Sequence, residues 1–210
     1  MSGAQYTPEE TTFCVWAPNA QTVELHLLDD DRFIPMQHTA DDYFTCTVAE
    51  LAPGTRYFYR LDGEKERPDP ASRSQPEGVH GPSQVVNPDF NWTDDGWLAP
   101  TLRNSVIYEL HVGTFTQQGT FAAIIPHLPY LKDLGVTTLQ IMPVAQFPGA
   151  RNWGYDGVQL YAPHADYGGA AGLKKLVNAC HAHGLAVMLD VVYNHLGPEG
   201  NYLWDYGPYF

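Results

Sequence analysis

Residues 185–195 read Leu-Ala-Val-Met-Leu-Asp-Val-Val-Tyr-Asn-His. Five apolar residues close on Asp190, and after Val191 and Val192 the polar side chains of Tyr193, Asn194 and His195 follow. Such a run predicts a strand buried on both faces that presents polar groups at its C-terminal end. In parallel α/β folds that end is where ligands bind. A buried strand with a satisfied aspartate cap has the same periodicity, so the neighbouring segments decide between the two.

Working upstream, Leu173, Leu176, Val177 and Cys180 fall at helical spacing, and Gly184 stops that helix. Before it, Phe147 to Gly169 is a Gly- and aromatic-rich stretch too long for a simple connection, which makes it a candidate functional loop. Val136 to Met142 predicts another strand, ended by Pro143. Thr120 is a candidate N-cap for a helix carrying Phe121, Ile124, Ile125, Leu128, Leu131 and Leu134, stopped at Gly135. Pro126 and Pro129 lie inside it, so a late start or a kink is expected. Val106 to Val112 is the first strand of the series, with a loop from Gly113. The order β-α-β-α-β implies a parallel sheet with right-handed crossovers. Phe210 follows in a Gly- and Tyr-rich loop with no returning helix expected.

The first part of the chain has a different period. Val23, Leu25 and Leu27 alternate, as do Phe44, Cys46 and Val48, and Tyr57, Tyr59 and Leu61, with turn residues between them. This pattern predicts an antiparallel β-sandwich of immunoglobulin type over residues 1–90, with Trp16 in its core. From about 62 to 104 six prolines fall without period, which predicts an extended connector on the surface between two units; the second unit spans 105–210.

Composition narrows the partners. With 11 Lys and Arg against 24 Asp and Glu, a net charge of −13 offers few cations to a phosphate backbone, so no nucleic-acid partner is expected. Thirteen Tyr and five Trp provide flat amphipathic faces that suit sugar rings or a core. Cys14, Cys46 and Cys180 are far apart, which signals neither a disulfide framework nor zinc; all three are expected to be buried thiols. No leader pattern and no membrane-length apolar run are present in the sequence, so no membrane partner and a cytoplasmic location are expected.

Several stretches together resemble the malto-oligosyltrehalose trehalohydrolase family, within the α-amylase superfamily and related to the glycogen branching enzymes. They are Pro68 to Arg73 (PDPASR), Gly78 to Ser83 (GVHGPS), Tyr108 to Phe115 (YELHVGTF), Met142 to Val144, Trp153 to Gly157 (WGYDG), Tyr161 to Pro163, Tyr167 to Gly169 and Asp190 to His195 (DVVYNH). The resemblance covers nearly the whole chain. It implies a multidomain protein: an immunoglobulin-like β-sandwich of carbohydrate-binding-module type, then a (β/α)8 TIM barrel. From Ser105 roughly 106 residues remain against the about 250 of a full barrel, so an incomplete barrel of the first three strands is expected, as in an N-terminal fragment.

The resemblance also implies a chemistry. The superfamily cleaves α-glucosidic bonds with retention, using a carboxylate nucleophile and a carboxylic acid on either side of the bond. In the family these acids, and a third aspartate, follow the fourth, fifth and seventh strands, so no catalytic residue is expected in these 210 residues. Part of the substrate wall is. His195 is implied to bind the hydroxymethyl group of the sugar at the cleavage point, Tyr155 to stack under that sugar, and Asp156 to reach a hydroxyl or orient the loop. Asp190 is implied to support the site from beneath, and Asn194 to hold the loop, or calcium in calcium-dependent relatives. No other acidic cluster has calcium-loop spacing, so no metal and no cofactor are expected. His111 is expected to be a satisfied core histidine and Glu109 to need a buried partner. Gln140 stands where relatives usually carry Glu.

The partner so implied is an α-1,4-glucan or malto-oligosyltrehalose, hydrolysed next to its terminal trehalose by the whole enzyme, with the fragment alone inactive. Two alternatives stand beside it: part of a 1,4-α-glucan branching enzyme, and a non-catalytic glucan-binding module. Residues 105–210 in isolation are expected to aggregate through unpaired strand edges.

Overall fold

A computed structural model describes residues 2–209. The alternating runs of the first part form nine strands: β1 (Gly3–Tyr6), β2 (Glu10–Trp16), β3 (Val23–Leu27), β4 (Arg32–Pro35), β5 (Gln37–His38), β6 (Tyr43–Ala49), β7 (Arg56–Leu61), β8 (Lys65–Arg67) and β9 (Ser83–Gln84). They pair antiparallel in two sheets, β1-β2-β6-β5 and β4-β3-β7-β8, with β9 also on β7. Alternate residues of each strand turn inward, so Phe13, Val15, Leu25, Phe44, Tyr57 and Tyr59 meet between the sheets. Trp16 is only half-buried, packing edge-on against Tyr209 at 5.1 Å. Cys14 and Cys46 are also half-buried, and only Cys180 is fully enclosed.

Residues 62–85 depart from the expected surface connector. β8 and β9 join the second sheet, and Asp69, Ser72, Gln75, Val79, Ser83 and Val85 are buried. The reason is Asp69. Its carboxylate accepts hydrogen bonds from the Tyr57 hydroxyl (2.7 Å), the Tyr59 hydroxyl (3.4 Å) and the Ala71 amide (2.8 Å), and its own amide donates to Ser83 Oγ (2.9 Å). Two buried phenols need an acceptor, and the Pro-rich segment supplies it. Burial pushes the Asp69 carboxyl up to about 6, even though all three donors favour its ionised form. Beyond residue 86 the segment lies along a helix rather than between two units. Lys174 Nζ donates to the Pro88 carbonyl (2.6 Å), the Thr93 amide to Asn178 Oδ1 (2.9 Å), and Trp97 stacks on His181 at 3.9 Å.

The second half gives the expected alternation: β10 (Ile107–Leu110), α1 (Val112–Phe115), α2 (Phe121–Ile124), α3 (Leu128–Asp133), β11 (Thr138–Ile141), β12 (Ala145–Gln146), β13 (Gln159–Pro163), α4 (Gly169–Ala182), β14 (Ala186–Leu189) and α5 (Leu203–Tyr206). β10, β11 and β14 pair parallel in that order. The first strand stops at Leu110, and Val112 already belongs to a helical turn. The proline-containing helix is broken into α2 and α3 by a 3-10 turn at Ile125–His127, because Pro126 and Pro129 remove donors from its ladder; Thr120 caps it, its hydroxyl accepting from the Ala123 amide (3.2 Å). The expected long loop, Phe147 to Gly169, carries β13, which pairs antiparallel with β12 just ahead of the loop. Phe121, Ile124, Leu128, Leu139, Leu176 and Leu185 pack on one face of the parallel sheet.

β14 is not buried on both faces. Met188 and Leu189, which point to opposite faces, are 40% and 42% exposed, and β14 is an edge strand of its sheet. After β14 comes one helical turn, which packs on the sandwich. α5 carries Tyr206 into the sandwich core, where its hydroxyl donates to the Arg67 and Pro68 carbonyls (3.2 and 3.0 Å), while Asp205 pairs with Lys65 (3.0 Å) and Arg67 (2.6 Å). No helix among the described residues is long and apolar enough to cross a membrane.

Candidate functional site

The C-terminal ends of β10, β11 and β14 lie side by side, and each leads into a polar segment. From the first end comes His111, from the loop after the second come Asn152, Tyr155 and Asp156, and from the third come Asp190 and His195. The two loops are joined at Tyr155. Its hydroxyl donates to Asp190 Oδ2 (2.9 Å), and its backbone carbonyl accepts from His195 Nε2 (2.8 Å). The Asp190 carboxylate, holding the phenol proton, pushes Tyr155 above the ordinary phenol range. Because a carbonyl can only accept, His195 carries its proton on Nε2 when neutral, which leaves Nδ1 as a free acceptor.

Asn152 anchors the same loop from within. Its Oδ1 accepts from the Gly154 amide (2.8 Å), its Nδ2 donates to Asp156 Oδ2 (2.7 Å), and its carbonyl accepts from His111 Nε2 (2.8 Å). His111 Nδ1 faces Thr114 Oγ1 at 3.2 Å, so this half-buried histidine has both ring nitrogens engaged. Asn152 was not among the residues singled out in the sequence. Its spacing to Gly154, an asparagine two residues before a glycine, is the turn pattern that points to it. Gly154 has φ +95°, and a Cβ there would lie 2.1 Å from the Pro143 carbonyl oxygen, so the loop closes only on glycine.

Tyr155, Asp190 and His195 are therefore brought together, and Asp156 is tied to them through Asn152. Asn194 is exposed and makes no side-chain hydrogen bond among the described residues. Tyr155 is 38% exposed and His195 is also exposed, so the two form a surface wall. A neighbouring cavity of about 220 Å³ is lined by Asp190, Tyr193, Pro143 and Tyr161, and not by Tyr155 or His195. A wall of this kind presents a ring face, a carboxylate-held phenol and an imidazole acceptor, which together fit a neutral polyhydroxylated ligand. Among the described residues no group of three His, Cys, Asp or Glu side chains is placed to hold a metal ion.

Glu109 is exposed rather than buried, and its partner is Gln140, whose Nε2 donates to Glu109 Oε1 (2.9 Å). A glutamate at 140 would set two carboxylates against each other. Gln140→Glu is therefore expected to lower stability at pH 7 by about 0.5 kcal/mol, with the loss shrinking in high salt, as measured by urea unfolding at two ionic strengths.

The family model described as the α-amylase catalytic domain matches residues 68–206, and that of carbohydrate-binding module 48, the isoamylase N-terminal domain, matches residues 2–76. The malto-oligosyltrehalose trehalohydrolase of Saccharolobus solfataricus is 52% identical over 208 residues, covering 99% of this chain and 37% of that protein. The 1,4-α-glucan branching enzyme of Shewanella frigidimarina is 32% identical over 218 residues, covering 92% and 29%. A Salmonella typhimurium structure assigned as an α-amylase superposes with a TM-score of 0.94 at 47% identity, covering 99% of this chain and 35% of the other. The pullulanase of Anoxybacillus sp. LM18-11 in complex with maltotetraose gives 0.81 at 28% identity, covering 99% and 37%. The chain thus spans about a third of the length of the curated relatives it matches.

Proposed function

Because the chain belongs to the α-amylase family, we propose that it supplies the sugar-binding wall of a cytoplasmic glycoside hydrolase that releases trehalose from malto-oligosyltrehalose. The observation that carries this reading is the junction at Tyr155, where Asp190 and His195 lock one ring face and one imidazole acceptor onto the strand ends. The relatives favour trehalose release over branching, since the trehalohydrolase is 52% identical and the branching enzyme 32%.

In this reading the chain's own residues bind and orient. The Tyr155 ring lies under a glucose unit, and His195 Nδ1 accepts a hydrogen bond from its hydroxymethyl hydroxyl. Asp190 and Asn152 keep the loop from reorganising when the sugar arrives, which reduces the ordering cost of binding. Cleavage with retention needs two carboxyl groups about 5–5.5 Å apart across the bond, one attacking and one protonating the leaving oxygen. Asp156 and Asp190 instead serve as acceptors for Asn152 and Tyr155. The family resemblance assigns the reacting pair to later strands, so the 210 residues are proposed to bind glucan without turning it over.

Calorimetric titration with maltotetraose tests the wall. Tyr155→Ala is expected to weaken binding about tenfold and His195→Ala about fivefold, whereas Tyr155→Phe, which keeps the ring, loses less than either. Equal affinities for the parent and both alanine variants would contradict the proposal.

A further inference from the structure

The loop that carries His195 is held at its two ends by different parts of the molecule. At its start the parallel sheet fixes it, since the Asp190 amide donates to the Ile141 carbonyl (2.9 Å) and the Asp190 carboxylate accepts from Tyr155. From Val191 to Gly200 no helix or strand forms. Among the described residues the one backbone–backbone hydrogen bond of that stretch runs from the Gly197 amide to the Gly157 carbonyl (3.2 Å). A segment with so little structure of its own takes its position from what fixes its ends.

The far end is fixed by the first half of the chain. A Cβ on Gly200 would come within 2.5 Å of Val79, and the Tyr202 hydroxyl lies 2.6 Å from His80 Nδ1. At the centre stands Arg67, on β8 of the sandwich. Its guanidinium lies 4.6 Å from the centre of the Tyr202 ring, its Nε donates to Asp205 Oδ2 (2.6 Å), and its Nη1 donates to the Glu66 carbonyl (3.0 Å). The Arg67 and Asp205 side chains are only 26% and 25% exposed, so water and salt screen this pair less than an open surface pair. A planar guanidinium holds a ring face and a carboxylate at once, which the ammonium of a lysine does not.

Between these two anchors the loop lies flush on the loop of Tyr155. A Cβ on Gly197 would meet the Asp156 carbonyl oxygen at 2.3 Å, so the two backbones touch there, and His195 Nε2 donates to the Tyr155 carbonyl beside that contact. We propose that Arg67 is a positioning residue for the sugar wall: by clamping Tyr202 and Asp205 to the sandwich, it keeps the His195 loop closed on Tyr155 and sets the imidazole. The proposal rests on the glucan reading above and adds that the sandwich governs the affinity of a wall it does not itself line.

Calorimetric titration of the 210-residue chain with maltotetraose tests it, joined to NMR of the His195 ring nitrogens in the sugar-free protein. The variants are Arg67→Gln, Asp205→Asn, His195→Ala, the pair Arg67→Gln with His195→Ala, and Arg60→Gln as control. Arg60 makes an equivalent ion pair with Glu24 (2.6 Å) and an equivalent ring contact with Phe33 (3.7 Å), wholly within the sandwich. Expected are weakenings of about threefold for Arg67→Gln and about twofold for Asp205→Asn, with Arg60→Gln unchanged. The double variant should bind no more weakly than His195→Ala alone, because Arg67 acts through that imidazole. The His195 ring resonances should move in Arg67→Gln and in Asp205→Asn but not in Arg60→Gln, and Asp205→Asn carries the test if Arg67→Gln fails to fold. Additive losses of about fifteenfold in the double variant, equal losses in Arg60→Gln, or unmoved ring resonances overturn the positioning role. Unchanged affinity in both clamp variants, with His195→Ala weakened, overturns it and leaves the glucan reading standing. No binding by the parent overturns the glucan reading, and the ring resonances then decide the positioning by themselves.

Discussion

Gly154→Ala is expected to destabilise the second half of the chain by about 3 kcal/mol or more and to abolish sugar binding. Two costs add at this position. The backbone sits at φ +95°, where an alanine is strained by about 1 kcal/mol, and the new methyl would meet the Pro143 carbonyl oxygen at 2.1 Å, an overlap that backbone atoms relieve only by moving. The movement is transmitted to the site, because the Gly154 amide is held by Asn152, which also holds Asp156 and His111. Gly149, in the same loop with φ +72° and open space around it, is the control: Gly149→Ala should show only the backbone strain. Urea unfolding of both variants, with maltotetraose titration of whatever remains folded, measures the difference. Comparable losses in the two would show that the close approach at Pro143 does not hold the loop.

The second large effect is a pH dependence placed in the sandwich. Asp69 is fully buried with its carboxyl raised to about 6, above the ordinary value near 3.8 that it has in an unfolded chain. A carboxyl raised by folding favours the fold while it is protonated in both states. That contribution is complete below about pH 3.8 and is lost as pH rises through about 6. The linked free energy is about 3 kcal/mol. Asp69→Asn replaces the neutral acid by a neutral amide that still offers an acceptor to the Ala71 amide and removes the titration. Relative to the parent, the variant should therefore gain about 3 kcal/mol between pH 4 and pH 7.5, read from denaturant midpoints at each pH. A gap that stays constant over that window would mean that burial does not dominate at Asp69.

How much of this was legible in the residues alone follows from the period of each segment. Val23, Leu25 and Leu27, or Tyr57 and Tyr59, alternate because one face of each strand is buried, and the structure uses them in that way. The break at Pro126 was readable because a missing donor acts locally. Residues 62–85 were not, since what folds them is a single carboxylate reaching two phenols on a strand ten and twelve residues earlier, and prolines without period carry no mark of that. Tyr206 was missed for the same reason: its destination lies in a core whose own residues end near position 85. The motifs at Trp153 to Gly157 and Asp190 to His195 singled out Tyr155, Asp190 and His195 as candidates, but periodicity could not show that the phenol of one motif donates to the carboxylate of the other.

Saturation-transfer NMR on malto-oligosyltrehalose mixed with the 210-residue chain puts the account to its most direct test, since one spectrum reports both contact and turnover. The account predicts transfer to the glucan protons through the wall of Tyr155 and His195, with no signal of free trehalose growing in. Absence of transfer, or trehalose appearing with time, would contradict it.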